Sequence, residues 1–365
     1  MPLTRRGLVV GATSLLAAPY VTKASAAASD AMIGDMLVLG FNGATPDAEG
    51  ARGLARHIAE GRVGGACFLG HNTRSKAGIE GLTRLFAAAG RRTSPLIAVD
   101  QEGGAVQRLG PKVGYPRVAN AADIAAKYDP ERARAIYGDM AAVLREAGFN
   151  LNLAPVVDLG FQPKNPIVAK FGRAFGNDGK TVARYAAAFV QGHREHRVLT
   201  ALKHFPGHGS TLVDSHARPV DLGPTWRDDE LAPYRELIRA GLVDIVMSGH
   251  LSHPGLTGGA PATLSEIAVE GLLRRQLGFR GIVMTDDLDM AAIRTTVPLM
   301  EACVRAIAAG NDLLLLSNSA APDAELPQRV IAGVKAAVAD GRIPRGRIEA
   351  AAARLAGQPR PSAAG

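Results

Sequence analysis

The sequence predicts a single-domain (β/α)8 barrel, an α/β fold of the TIM type. Eight short apolar runs recur along the 365-residue chain, separated by amphipathic stretches with helical periodicity. Most of these runs are continuously hydrophobic rather than alternating, as parallel strands buried on both faces require. Eight strands alternating with helices in one body are typical of this barrel. An open doubly wound sheet is the alternative, but no predicted strand is followed by the glycine-rich phosphate-binding pattern of that fold.

Turn residues bound each element. The predicted strands are Met36–Phe41, Gly65–Leu69, Leu96–Asp100, Asn150–Pro155, Leu199–Phe205, Asp244–Ser248, Gly281–Asp286 and Asp312–Ser317. The predicted helices are Ala48–Glu60, Lys76–Ala89, Pro130–Ala147, Gly179–His196, Asp228–Ala240, Ser265–Leu277, Leu299–Ala309, Pro327–Asp340 and Gly346–Leu355. We therefore predict one barrel domain over residues 29–355, followed by a flexible Pro/Gly/Ala-rich tail over 356–365.

Composition excludes several classes of protein. A chain that is 47% hydrophobic and 21% charged is not disordered. Its two cysteines, Cys67 and Cys303, are too few for a disulfide scaffold or a cysteine-ligated cluster, so we predict two buried thiols. The formal charge of +8 is spread along helices without a basic run, so nucleic-acid binding is not expected.

Residues 1–28 are predicted to be an export signal of the twin-arginine type. Thr4–Leu8 contains two adjacent arginines, an apolar stretch follows, and Ala24–Ala26 offers a small-residue cleavage site. The stretch is too short and too weakly apolar to span about 30 Å of hydrocarbon. We expect a periplasmic mature chain without stable membrane insertion. The alternative is an uncleaved helix or a misassigned start, which would leave the protein in the cytoplasm.

Ionisable residues follow five of the predicted strands. In a (β/α)8 barrel the carboxyl ends of the strands form the active site. Burying such groups unpaired costs several kcal/mol each, so we predict that they bind a polar ligand. The groups are Asp100–Gly104 with Arg108, Asp158 with Arg173, Lys203–His208 with Asp214 and His216, His250, and Asp286–Asp289.

Asp286 is the strongest candidate for a catalytic residue because it directly follows a rigid apolar strand. A carboxylate in this position can be a nucleophile or an electrostatic stabiliser. The alternative is that it caps the following helix. Asp287 is expected to face elsewhere, and Asp289 could supply the cap instead.

Asp214 and His216 lie two residues apart after a glycine- and proline-rich run. That spacing lets the carboxylate orient one ring nitrogen while the other faces a ligand, as in an acid/base dyad. A loop histidine pinned by a neighbouring aspartate is the structural alternative. A metal site would add His204 and His208, but Pro206 and Gly207 separate them, so they are not expected to share a helix face. We predict no metal.

Lys203 has two interpretations. A desolvated lysine at a barrel strand end could form a Schiff base. As a fixed cation it would instead donate hydrogen bonds to hydroxyl or carboxylate oxygens, a role that also suits Arg108 and Arg173. With Asp100 as an acceptor, such a group can hold a polyhydroxylated ring. Taken singly, each arginine could equally form a surface ion pair.

Three motifs in this order resemble those of glycoside hydrolase family 3. They are Ala98–Gly104 with Gln107 and Arg108, Lys203–Gly209 with Asp214–His216, and Thr285–Met290. The likeness extends from about Met32 to Ser317. It is closer to the β-N-acetylglucosaminidases of the NagZ type than to the family's β-glucosidases, which lack the Asp-Ser-His loop.

The resemblance implies a retaining exo-β-N-acetylhexosaminidase without a cofactor. Asp286 would be the nucleophile, His216 the acid/base and Asp214 its partner, in place of the usual second carboxylate. The implied sugar-binding residues are Asp100, Arg108, Arg173, Lys203 and His204. The implied substrate is a peptidoglycan fragment, N-acetylglucosamine linked to 1,6-anhydro-N-acetylmuramic acid, with or without peptide. The loop carrying His216 could be mobile, and we expect a monomer.

Several alternatives stay open at this point. Within the family they are a β-glucosidase and an N-acetylglucosaminide phosphorylase, since a histidine does not repel incoming phosphate. Outside it they are an aldolase or lyase that uses Lys203 and an inactive sugar-binding barrel.

Overall fold

The computed structural model describes residues 30–90, 94–319 and 321–358 and confirms the predicted barrel. Eight parallel strands neighbour one another in chain order, and a bridge between Met284 and Leu313 joins the last two and closes the sheet. The predicted export signal lies outside the described residues, as does the tail from residue 359. The strands are β1 (Leu37–Leu39), β2 (Gly65–Phe68), β3 (Leu96–Val99), β4 (Leu151–Asn152), β5 (Leu199–Phe205), β6 (Ile245–Ser248), β7 (Ile282–Thr285) and β8 (Leu314–Leu316).

Helices cover the outside of the barrel and connect successive strands. The longer ones are Glu49–Ala59, Lys76–Ala89, Pro130–Glu146, Gly179–Glu195, Ala232–Arg239, Ile267–Gln276, Leu299–Ala309, Leu326–Ala339 and Arg345–Gly357. Shorter helices are Ala121–Lys127, Pro254–Thr257 and Ala291–Arg294, with 3-10 turns at Pro111–Val113, Ala169–Phe171, Asp228–Leu231 and Ala262–Leu264. Within the described ranges, none of the helices combines the length and the apolar character needed to cross a bilayer.

The strands form where the apolar runs lie because each is buried on both faces. All residues of β1, β2, β3 and β5 are buried. One part of the core contains Phe41, Phe68, Phe86 and Phe149, whose rings pack edge to face with centroids 4.8 to 5.9 Å apart. Cys67 and Cys303 are both buried free thiols, as predicted.

Several boundaries differ from the sequence prediction, among them those of one strand and three helices. The regular part of β4 is short because Pro155 has no N–H to donate; beyond it the carbonyls of Ala154 and Pro155 still accept hydrogen bonds from β5, and a bridge joins Val156 to Lys203. The predicted helix over 228–240 is divided into a 3-10 turn and a helix that starts at Ala232, with a proline in its first turn. Ile267–Gln276 is wound as a π-helix. The last helix continues to Gly357, two residues into the predicted tail.

Two small strand pairs and the short helices Ala121–Lys127, Pro254–Thr257 and Ala291–Arg294 were not predicted. The first pair is an antiparallel ribbon of Gln101–Gly103 with Val106–Gln107, which directly follows β3. The second pair joins Val220–Asp221 to Leu251–Ser252. The helix Ala121–Lys127 precedes the longer predicted one. The strand pairs are too short for a periodic signal, and both lie at the carboxyl end of the barrel, where they shape the site.

Candidate active site

A cavity of about 280 Å³ opens at the carboxyl ends of the barrel strands. Its lining includes seven of the eight predicted site residues. The eighth, Asp214, is outside the lining but contacts His216, which is part of it. The cavity is lined by Cys67, Leu69, Asp100, Glu102, Val106, Arg108, Leu153, Arg173, Lys203, His204, His216, Met247, Asp286, Asp287, Met290, Leu315 and Ser317.

Asp286 lies directly after β7, and its backbone N–H donates to the Ser248 carbonyl of β6 at 2.9 Å. Its Oδ1 accepts the N–H of Asp287 at 2.8 Å. It does not cap a helix, since Ala291–Arg294 begins without a side-chain cap. Burial alone would raise the pKa of Asp286, but the imidazoles of His250, His204 and His216 outweigh burial and lower it to about 2. The group is therefore an ionised carboxylate at neutral pH.

Asp287 was expected to face elsewhere, and this expectation is wrong. Asp287 lines the same cavity, and its Oδ1 accepts hydrogen bonds from the backbone N–H groups of Asp289 at 3.0 Å and Ser317 at 2.9 Å. Burial raises the pKa of Asp287 to about 6. Two consecutive carboxyl groups thus differ in pKa because the charges of nearby histidines offset burial at the first, while burial prevails at the second.

Asp214 and His216 form the predicted pair. Oδ1 of Asp214 accepts two hydrogen bonds from His216, one from Nδ1 and one from the backbone N–H, each at 2.8 Å. Burial alone would raise the pKa of Asp214, but these two hydrogen bonds lower it. The ionised carboxylate therefore fixes the imidazole with its Nε2 free, and the side chain of His216 is 64% exposed at the cavity mouth.

A buried ionic cluster forms one wall of the cavity. Nζ of Lys203 contacts Oδ1 of Asp100 at 2.7 Å and Oε1 of Glu102 at 2.8 Å. Arg173 binds Glu102 with Nε at 2.7 Å and Nη2 at 2.8 Å. Burial alone would raise the pKa of Glu102, but Arg173 and Lys203 hold it well below its usual range. Arg108 lies beside Asp100 at 3.9 Å and keeps a buried Nε without a hydrogen-bond partner.

The cluster argues against a Schiff-base lysine. Burial alone would lower the pKa of Lys203, but Asp100 and Glu102 outweigh it and raise the pKa. A protonated ammonium is not nucleophilic. Lys203 is therefore a fixed cation, the second of its two predicted interpretations.

The geometry also argues against the histidine metal site. Nδ1 of His204 binds Oδ2 of the fully buried Asp158 at 2.7 Å. His208 uses both ring nitrogens, at 2.6 Å to Thr211 and 3.1 Å to Ser215. Among the residues that the structure describes, no cluster of three histidine, cysteine or acidic side chains is arranged to hold a metal ion.

Four residues support the site without having been assigned a role from the sequence. Glu102 and Asp158 hold the predicted binders Lys203 and His204 in place. Their positions after β3 and β4 were the available signal, but nothing in the sequence specified their partners. The other two are His208 and Glu230, which hold the loop after β5.

Larger cavities lie elsewhere in the described chain: two beside the connection that follows β8, of about 570 and 690 Å³, and one beside the helix Ala121–Lys127, of about 370 Å³. None of them is lined by Asp286 or His216. Chemistry rather than size therefore identifies the candidate site, because perturbed carboxyl groups and a histidine converge only in the lining of the smallest of these four cavities.

Comparison with known proteins agrees with this geometry. Residues 30–357 match the Glycosyl hydrolase family 3 N terminal domain. The chain is 38% identical over 277 residues to beta-hexosaminidase LpqI of Mycobacterium tuberculosis, covering 73% of this chain and 69% of that protein. It is also 38% identical over 296 residues to a beta-hexosaminidase of Xylella fastidiosa, covering 78% and 83%.

A solved structure adds the fold to these similarities. It is a family 3 beta-N-acetylglucosaminidase from Paenibacillus sp., with a TM-score of 0.80 and 35% identity. The match covers 90% of this chain and 61% of that one, so this chain spans less than two thirds of that protein. The chain belongs to glycoside hydrolase family 3, and the resemblance to its β-N-acetylhexosaminidases is confirmed.

Proposed function

We propose that this family 3 glycoside hydrolase is a retaining exo-β-N-acetylhexosaminidase that removes terminal, non-reducing, β-linked N-acetylglucosamine. One observation carries the proposal: an ionised carboxylate, Asp286, and an oriented histidine, His216, line one small cavity. Its volume of about 280 Å³ lies just below the range for small-molecule sites, roughly 300–1,000 Å³. That size suits one sugar ring and hence removal of terminal residues.

In the first step Asp286 attacks the anomeric carbon. Its low pKa keeps it ionised, and β7 behind it fixes its direction. Protonated His216 donates its Nε2 proton to the departing glycosidic oxygen, so the bond to the aglycone breaks as the bond to Asp286 forms. A covalent glycosyl ester and the free alcohol result.

In the second step neutral His216 accepts a proton from water, whose oxygen attacks the anomeric carbon. The ester bond breaks and Asp286 leaves as a carboxylate, which restores the enzyme and releases the β-anomer. Asp214 remains ionised throughout and stabilises the imidazolium that forms in this step, because its Oδ1 accepts the Nδ1–H of His216.

The ionic wall provides the sugar-binding groups. Asp100 offers carboxylate oxygens to hydroxyl donors, while Lys203, held by two carboxylates, offers a fixed ammonium. The buried unpartnered Nε of Arg108 is a donor that a bound hydroxyl or carbonyl oxygen would satisfy. Arg173 uses three of its nitrogens on Glu102 and Ile167, so its main contribution is to hold Glu102 in place.

The natural substrate in this proposal is a peptidoglycan fragment, and the enzyme meets it in the periplasm. The support for the location is the sequence of the leader, with Arg5 and Arg6 before an apolar stretch. Replacing both arginines by lysine should retain the enzyme in the cytoplasm. Fractionation of cells that still shows export of this variant would overturn the proposed route.

The test of the function compares two aryl glycosides. The purified chain without residues 1–28 should release p-nitrophenol from the N-acetyl-β-glucosaminide at least about tenfold faster, in kcat/KM, than from the β-glucoside. Preference for the glucoside would make it a β-glucosidase. Added phosphate separates the other family alternative: formation of a sugar 1-phosphate would identify a phosphorylase, whereas free N-acetylglucosamine identifies the hydrolase.

A further inference from the structure

The loop that carries His216 has two parts with different attachments. The histidine loop runs from residue 207 to 219 and connects β5 to the strand Val220–Asp221. Its base, residues 207–211, is buried and held from both sides. Glu230 accepts two of its backbone N–H groups at 3.3 and 2.8 Å, and Asn165 donates to two of its carbonyl oxygens at 2.8 and 3.1 Å. The base is therefore fixed to the barrel.

The tip of the loop, residues 212–219, is much less attached. Its backbone forms a turn in which two N–H groups donate to the Asp214 carbonyl at 3.1 and 3.3 Å. Asp214 and His216 bind each other within this turn. Across the described part of the chain, one hydrogen bond connects the tip to residues outside it, between Oγ of Ser215 and Nε2 of His208 at 3.1 Å.

The direction of this hydrogen bond follows from its neighbours. The Thr211 hydroxyl donates to the His208 carbonyl at 3.0 Å, so its oxygen accepts from Nδ1 of His208 at 2.6 Å. Burial lowers the pKa of His208 to about 4, so the imidazole is neutral at pH 7 and carries its single proton on Nδ1. Nε2 is then an acceptor, and the Ser215 hydroxyl donates to it.

Ser215 lies between the two members of the acid/base pair in sequence. The Ser215 residue as a whole is 2% exposed, whereas the side chain of His216 is 64% exposed. A buried serine between a half-buried aspartate and an exposed histidine therefore anchors both to the fixed base. Loss of its hydroxyl removes the hydrogen bond between the tip and the base, while the hydrogen bond between Asp214 and His216 and the packing of Val213 against Val220, Leu222 and Leu251 remain.

We propose that His208 is a positioning residue, which holds the imidazole of His216 over the cavity through Ser215. The inference rests on the proposed function, because it assigns His216 the acid/base role. His208 touches no substrate in this account. It acts by keeping the tip of the histidine loop in the position where His216 lines the cavity together with Asp286.

The expected defect depends on the leaving group. Protonation by His216 matters most when the departing alcohol is a poor leaving group, and little when it is an acidic phenol. Ser215→Ala should lower kcat/KM about five- to tenfold for the β-linked N-acetylglucosamine disaccharide, the effect of losing one net hydrogen bond. For the 2,4-dinitrophenyl glycoside the loss should be less than about twofold.

Two substitutions at His208 provide matched variants. The amide nitrogen of His208→Asn takes the place of Nδ1 and does not reach Ser215, so this variant should repeat the pattern of Ser215→Ala. The longer side chain of His208→Gln reaches Ser215 and should lose less activity. The double variant that combines Ser215→Ala with His208→Asn should lose no more than either single variant, since both substitutions remove the same contact.

Leu212→Ala is the control on the same loop, because Leu212 is 53% exposed and belongs to neither the acid/base pair nor the contact. It should leave both substrates unaffected. A Ser215→Ala enzyme equal to this control, or one slowed equally on both substrates, would overturn the positioning role. Wild-type enzyme inert on every N-acetylglucosaminide would instead overturn the proposed function.

Discussion

Asp214 accepts two hydrogen bonds from His216 at one oxygen, from Nδ1 and from the backbone N–H, each at 2.8 Å. The backbone contact fixes where the carboxylate lies, and the ring contact then fixes how the imidazole is turned. A spacing of two residues is enough to build this arrangement, because the Asp214 carboxylate reaches past the single intervening residue, Ser215, to the backbone N–H of His216. The free Nε2 is therefore oriented before any substrate binds.

Asp214→Asn should reduce kcat/KM for glycosides with poor leaving groups by about 100-fold. The amide retains the size of the side chain but loses the charge that stabilises the imidazolium and selects the tautomer. The check is steady-state kinetics on the disaccharide and on the 2,4-dinitrophenyl glycoside, where the loss should be far smaller. Asp139→Asn, at an exposed aspartate on an outer helix, is the charge-matched control and should leave kcat/KM for both substrates unchanged.

The dyad and the nucleophile could be read from the sequence because each signal is local. Asp286 follows an apolar strand, and Asp214 and His216 lie two residues apart. Which side chains hold the sugar-binding residues could not be predicted, because those contacts join distant parts of the chain. Arg173 and Glu102, for instance, are 71 residues apart in sequence and meet only when the barrel closes.

Strand positions were predictable for a similar reason, since a strand that is buried on both faces has a continuous run of apolar residues in its sequence. Strand ends were not. Ala154 and Pro155 still accept hydrogen bonds from β5 beyond the regular strand, and a bridge joins Val156 to Lys203; these contacts depend on the neighbouring strand rather than on local composition. The expectation that Asp287 faces away failed because strict alternation of side chains ends where the strand does, at Thr285.

Glu102→Gln should lower the free energy of unfolding by about 3–5 kcal/mol. The substitution leaves Lys203 and Arg173 buried with one carboxylate fewer, and the remaining partner of Lys203 is Asp100. The measurement is urea denaturation at neutral pH. Glu349→Gln removes an exposed carboxylate paired with Arg345 and should cost less than about 0.5 kcal/mol, so equal effects of the two changes would contradict the account.

Glu230→Gln should weaken the pH dependence of stability. Burial, with a smaller contribution from the nearby charge of Asp158, raises the pKa of Glu230 from 4.5 to about 8. The folded state therefore keeps a proton that the unfolded chain loses above about pH 4.5. The contribution of Glu230 is fully present below that pH and is lost as the pH rises towards 8, by at most about 1.4 kcal/mol per pH unit.

Thermal midpoints of the wild type and of Glu230→Gln from pH 5 to 8 check this sign. The wild type should lose stability more steeply than the variant over that interval. Parallel curves would show that Glu230 titrates normally in the folded state. Glu349→Gln again serves as the control, since its carboxylate is exposed and should leave the slope unchanged.

The nucleophilic role of Asp286 is tested most directly by mass spectrometry of the enzyme after reaction with a 5-fluoro glycosyl fluoride derived from N-acetylglucosamine, which slows breakdown of the covalent intermediate. We predict a single attached sugar on the peptide that contains Thr285–Met290, located at Asp286 and absent from Asp286→Ala. A sugar attached to Asp287, or to any residue outside this cavity, would contradict the assignment of Asp286 as the nucleophile.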